Sequence, residues 1–293
     1  MAVEFYKELR EAYNSGKSFV LCTVVDVKGS SPGKIGQKMI VYRDGSTVGT
    51  IGGGINGNKY FGWQIQPDKP SVQECLEHVL STLFHEKTGV TGAGRTDTGV
   101  HASDFYAHID TEIPLTENKA QWLYRINSFL PEDIAVYDIL PVIPEAHARF
   151  DATARTYQYH VSDRRLPFKQ GLYSRIYFHP DLDLMNEGAK ILMEYEDFTS
   201  FAKLHTQVKT NICHLSEAHW DEVGYEWIFT IRSNRFLRNM VRSVTGTLLD
   251  VGRGKLTLDG LRRIIEQKDR CAAGVSMPPQ GLFLTKVEYD FIK

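Results

Sequence analysis

The chain has 293 residues, 42% hydrophobic and 24% charged, with 34 basic and 36 acidic side chains and a formal net charge of −2. That excludes an intrinsically disordered chain and leaves room for two domains, or one large one, around a buried core, while confining any nucleic-acid role to local basic patches. No apolar run approaches a membrane span of roughly 18 residues, no signal-peptide layout opens the chain, and four scattered cysteines suggest neither a zinc knuckle nor a disulfide framework, so a cytoplasmic protein without membrane attachment is expected.

The first fifteen residues read as an amphipathic helix, with Phe5, Leu9 and Tyr13 on one face and Gly16 as its stop. A β-branched run over 19–27 predicts a strand, and runs over 38–43 and 47–51 flank Asp44-Gly45 as a hairpin. The glycine-rich stretch 49–57 matches no phosphate-binding fingerprint and reads as a turn or junction. Ser71 and Glu74 then form a capping box, and Val72, Leu76, Val79, Leu80 and Leu83 make the apolar face of the clearest helix. Further helices are expected over 118–129, 184–193, 236–251 and 258–267, and strands over 134–140, 156–161, 225–232 and 282–289. Without a regular βαβ rhythm, this order predicts an α+β antiparallel architecture. Strand–helix–strand blocks before and after about residue 145 hint at a duplicated unit.

The string GAGRTDTGVHA (92–102) is the most informative. Its glycines imply a tight loop around Arg95 and Asp97, and a neighbouring arginine would hold the carboxylate ionised and oriented. This string resembles the active-site signature of the TruA-type tRNA pseudouridine synthases. Similar blocks follow the family's order along the chain: YFGWQIQ (60–66), SVQECL (71–76), RFDATARTY (149–157), FTSF (198–201), FLRNMVR (236–242) and PPQGLFL (278–284).

The resemblance implies a pseudouridine synthase fold of two related antiparallel-sheet halves, 55–145 and 146–293, with a catalytic cleft between them. It places Asp97 on the catalytic aspartate, Tyr157 on the active-site tyrosine and Arg242 on the aspartate's salt-bridge partner. It further implies a homodimer acting on tRNA, at uridines 38 to 40 of the anticodon arm. The chemistry agrees. Moving a base from N1 to C5 attachment involves no redox change or phosphoryl transfer, so neither cofactor nor metal is expected. A carboxylate can attack the anomeric carbon or remove a neighbouring sugar proton. The base must be flipped out, for which an aromatic such as Tyr157 is a platform.

RNA contacts are expected from Arg95, Arg155, Arg235 and Arg238, with Arg164 and Arg165 extending the surface. On a helix, Arg235, Arg238 and Arg242 would share one face, opposite Leu237, Val241, Val244 and Leu248. From 232 to 270 there are ten Lys or Arg against four Asp or Glu, a local excess of +6. His101, beside the catalytic loop, is assigned no catalytic role.

The N-terminus fits a different pattern. VVDVKGSSP (24–32), GQKM (36–39) and GTIGGG (49–54) resemble the start of the XdhC/CoxI family, whose members assist molybdenum hydroxylase maturation. A fragment over 1–54 is therefore expected ahead of the synthase. Ile55-Asn-Gly-Asn58 keeps only the turn that normally follows the synthase's first strand, and the hairpin ending at Ile51 is expected to replace that strand. Rival readings are a tRNA-binding protein whose catalysis was lost with the strand, and a molybdenum-cofactor accessory module.

Overall fold

The structure is a computed structural model and describes residues 54–203 and 210–292, together with the backbone of three strands, β1 (Phe19–Thr23), β2 (Lys38–Tyr42) and β3 (Thr47–Val48). The expected first helix and most of the glycine-rich stretch lie outside the described residues. The three strands form an antiparallel sheet in the order β1-β2-β3, so the hairpin predicted around Asp44-Gly45 is present. Its last strand pairs with β2 and, among the described residues, with no strand of the larger sheet.

Beyond the hairpin, Gly54 to Asn56 bridge two segments of the chain. Ile55 exchanges backbone hydrogen bonds with Ala102, and on the other side Asn56 N donates to Asp133 O and Ala135 N to Gly54 O. Only glycine fits at 54: φ is +150°, and a Cβ would lie 1.9 Å from Ala102 O.

Residues up to about 145 build a small core on two helices, α1 (Val72–Phe84) and α2 (Lys119–Phe129). Ser71 caps α1 by accepting from Glu74 N at 3.3 Å, and all five apolar positions expected on its inner face are buried. The strands here are two residues each: β4 (Thr91–Gly92), β5 (His101–Ala102) and β6 (Ala107–His108). The strand expected over 134–140 reduces to one bridge, between Ile134 and Ile55. The side chain of Asn127 takes both the N–H and the C=O of Val136, which removes those groups from a ladder.

The remainder holds a six-stranded mixed sheet, ordered β5-β11-β7-β10-β9 with β8 beside β7. Its strands are β7 (Ala154–Ser162), β8 (Ser174–Arg175), β9 (Leu215–Val223), β10 (Glu226–Ser233) and β11 (Leu282–Glu288). The long pairs are antiparallel, and the short β5 and β8 add parallel edges. The sequence of β9 does not announce a strand, because this edge strand carries Ser216, Glu217, His219, Asp221 and Glu222 with little apolar alternation. Tyr159, Val161, Phe229 and Ile231 bury one sheet face against three helices, α3 (Leu182–Leu192), α4 (Met240–Gly252) and α5 (Leu258–Gln267). Each such side chain contributes about 1.5–3 kcal/mol. Among the described residues no helix is long and apolar enough to cross a membrane.

The helix expected over 236–251 starts only at Met240. Asn239, at its N-cap, has φ 67°, and Lys203 N takes the carbonyl of Arg238, which ends any helical continuation upstream. Arg235 and Arg238 therefore precede α4 rather than sharing a helical face with Arg242.

Candidate active site

Asp97 sits on a loop between β4 and β5 that is held from outside. Ala93 N donates to Tyr106 O at 2.8 Å, Gly99 N to Tyr60 O at 3.2 Å, and Val100 N closes a turn on Asp97 O at 3.2 Å. Gly62 lets the segment below approach: its φ is +92°, and a Cβ there would lie 2.2 Å from Thr96 O. The next residue, Trp63, is buried and stacks on Phe105 with centroids 4.3 Å apart. The YFGW string is thus a backbone cradle for the Asp97 loop, a role its residue types alone do not announce.

The Asp97 carboxylate faces two arginines. Oδ1 is 3.5 Å from Nε of Arg238, and Oδ2 is 3.8 Å from Nη1 of Arg242. At these distances the arginines act as charges more than as hydrogen-bond donors, leaving the carboxylate's lone pairs open to an incoming group. Arg242 is the fixed partner: its side chain is 19% exposed and Nε donates to Met277 O at 2.6 Å, whereas Arg238 is 58% exposed. The expected helical stripe is absent, yet two of its three arginines still converge on the carboxylate, because the bend at Asn239 turns Arg238 back toward the loop.

Arg95 does not pair with Asp97. It is exposed, and among the described residues the ion pairs to Asp97 come from Arg238 and Arg242. Two intervening bonds of sequence do not bring side chains together when the backbone turns between them. Arg235 is half-buried, and its charge is felt by the thiol of Cys213, which burial pushes up to about 11.

Tyr157 lies on the face of β7 turned toward the helices, half-buried, edge-on to Phe236 at 5.1 Å and 89°. Burial pushes its phenol up to about 12, and the Asp97 charge adds to that rise while Arg155 opposes it. Tyr157 is therefore a neutral hydrogen-bond donor at ordinary pH. Phe236, which shapes this contact, was visible only as part of FLRNMVR. Arg155 turns its guanidinium onto backbone carbonyls rather than into solvent. His101 is buried, stacks on Phe283 at 4.6 Å, accepts from Gly57 N at Nδ1 and meets Gly171 O at Nε2; burial lowers its pKa. Both ring nitrogens are engaged, as befits a structural histidine.

The basic excess over 232–270 is smaller in effect than its count. Arg232, Arg253, Arg262 and Lys268 pair with Glu288, Asp250, Glu194 and Asp197. Arg95 and Arg238 stay exposed on the segments around Asp97, while Arg164 and Arg165 are exposed at the far end of β7.

Residues 192–290 match the family model described as tRNA pseudouridine synthase, and residues 12–55 match that of the XdhC and CoxI family. A tRNA pseudouridine synthase A of Bacteroides thetaiotaomicron is 56% identical over 238 residues, covering 80% of this chain and 87% of the relative. The protein of that name in Parabacteroides distasonis is 52% identical over 236 residues, covering 80% and 93%. One from Bacillus licheniformis is 37% identical over 239 residues, covering 80% and 96%. With identity this high over nearly the full length of those proteins, the chain belongs to the tRNA pseudouridine synthase A family.

Proposed function

We propose that this chain converts uridine to pseudouridine in the anticodon arm of tRNA, at positions 38 to 40, with Asp97 as the catalytic carboxylate and no cofactor. The observation that carries the reading is the convergence on Asp97 of Arg242, from α4, with Tyr157 on β7 near enough for the carboxylate's charge to reach its phenol. The flipped uracil stacks on the Tyr157 ring, worth about 1–3 kcal/mol for a base on an aromatic. Arg242 and Arg238 lie beside the carboxylate and orient it for the reaction. Asp97 then either attacks C1′ or removes a proton from the sugar. In the first route the C1′–N1 bond breaks as Asp97 bonds to C1′, and that ester bond breaks in turn when C5 of the rotated uracil bonds to C1′. In the second, loss of the sugar proton to Asp97 expels uracil through N1, and C5 bonds to C1′ as Asp97 returns that proton to the sugar. In both, C5 loses its proton and N1 takes one up, so the product is an isomer and Asp97 is regenerated.

Residues 55–145 supply the Asp97 loop and 146–293 supply Tyr157 and the arginines, so the cleft lies between the two halves. Arg95, Arg235 and Arg238 contact tRNA phosphates at its rim. The enzyme works in the cytoplasm as a homodimer. Residues 1–54 form an XdhC/CoxI-like fragment ahead of the synthase, and the backbone pairing of Gly54 to Asn56 with Ala102, Asp133 and Ala135 supports an enzyme over a damaged binder. Mapping pseudouridine in tRNA from cells with and without the gene tests the reading: loss confined to positions 38 to 40 is expected. An unchanged pattern would overturn it.

A further inference from the structure

Arg155 ties together the segments that carry the site. Its Nη2 donates to Ala93 O at 2.9 Å and to Arg149 O at 2.7 Å; its Nη1 donates to Asn234 O at 3.1 Å and to Ala152 O at 3.3 Å. Ala93 is the root of the Asp97 loop. Asn234 opens the connection that bears Arg238 and leads into α4 with Arg242. Arg155 itself stands two residues before Tyr157 on the same face of β7. Its backbone is fixed within the sheet, opposite Ser233 of β10 and Val287 of β11.

Four charge-assisted hydrogen bonds diverging from one planar group suit a guanidinium and no other side chain. They also occupy the fork that a phosphate would need. We propose that Arg155 is a positioning residue: one guanidinium sets the spacing between the backbones bearing Asp97, Tyr157 and the two arginines, and it does not bind tRNA. Its consequence for turnover rests on the functional reading above; its role in ordering the loop does not.

The test compares wild-type enzyme with Arg155→Lys and Arg155→Ala. Lysine keeps the charge and stem but offers three donors from a single point, too few for four diverging carbonyls. Amide hydrogen exchange over 93–99 and 234–239 should accelerate about tenfold or more in both variants, with the sheet core unchanged. Single-turnover pseudouridine formation at saturating tRNA should fall roughly a hundredfold, the effect of about an ångström of misplacement. The Kd for tRNA should stay within about twofold with its salt slope intact. Added guanidinium ion should restore part of the Arg155→Ala rate; if that variant does not fold, Arg155→Lys carries the test.

Unchanged exchange in both segments would overturn the proposal. So would a weakened Kd with a salt slope reduced by about one and an unaltered rate, the signature of a phosphate contact. Faster exchange in an enzyme whose wild type makes no pseudouridine would leave the positioning role standing and remove the functional reading instead.

Discussion

Tyr157 and Arg242 stand on a strand and a helix whose inner faces are buried in one apolar core, whereas Asp97 stands on a loop held by its neighbours' backbone. β7 is paired on both sides along most of its length, and α4 buries Val241, Val244, Leu248 and Leu249. The Asp97 loop has the two-residue β4 and β5 at its ends, the cradle of Tyr60 and Gly62 beneath it, and bonds from Tyr106 and Arg155 to Ala93 at its root. The proposed catalytic carboxylate is thus on the less supported side of the site, and Tyr157 and Arg242 are on the side packed into the sheet and helix core. Changes around the loop should damage turnover out of proportion to stability. Changes in the sheet should act through charge and proton position.

The largest effect short of Asp97 itself is expected at its fixed partner. Arg242→Ala removes a guanidinium clamped by Met277 O and should lower the single-turnover rate about 100- to 1,000-fold, as loss of a preorganised electrostatic group does. A loss under tenfold would shift the role to Arg238. Gly62→Ala probes the other side. The new Cβ would press on Thr96 O in a backbone region that disfavours side chains, for a stability loss of about 1–3 kcal/mol and a roughly hundredfold slower rate. Urea unfolding and single-turnover assays of one sample separate the two, and a wild-type rate would show that the cradle is dispensable.

This division also explains what could be read from the sequence. Helix α1 was legible because capping at Ser71 and a 3.6-residue apolar period agree, and the inner strands because their apolar runs are long. The convergence of Arg238 and Arg242 on Asp97 was not, since it depends on a left-handed bend at Asn239 that interrupts a good helical pattern. Arg95 illustrates the reverse error: nearness in sequence suggested an ion pair that the loop's turn prevents. By residue type Arg155 is an RNA contact, but four backbone carbonyls from distant stretches of the chain surround its head in the fold. The resemblance named Asp97, Tyr157 and Arg242 together, but it could not say how the loop is supported.

Two smaller effects concern pH. With the Tyr157 phenol pushed up to about 12, the rate should show no alkaline decline from this group between about pH 7 and 10, because the donor stays protonated there. A pH–rate profile that breaks near 10 and flattens in Tyr157→Phe would contradict its buried setting. His101 acts in the opposite direction. Folding favours its neutral form, so its stabilisation is complete above the ordinary value of about 6.5 and is lost as pH falls through the lower folded value. Its ring resonances should remain those of the neutral form at pH 6.5, and exchange protection of the Gly57 amide should fade only when the ring protonates below that. A ring already half-protonated at 6.5 would refute the buried contact to Gly57.

If Asp97 performs the chemistry and the basic rim and Tyr157 hold the RNA, as proposed, removing the carboxylate's charge should abolish turnover without loosening the complex. Tritium release from tRNA labelled at uracil C5, measured alongside tRNA affinity in Asp97→Asn, tests it directly. Release at background with binding within about twofold of wild type is expected. Sustained release in that variant would contradict it.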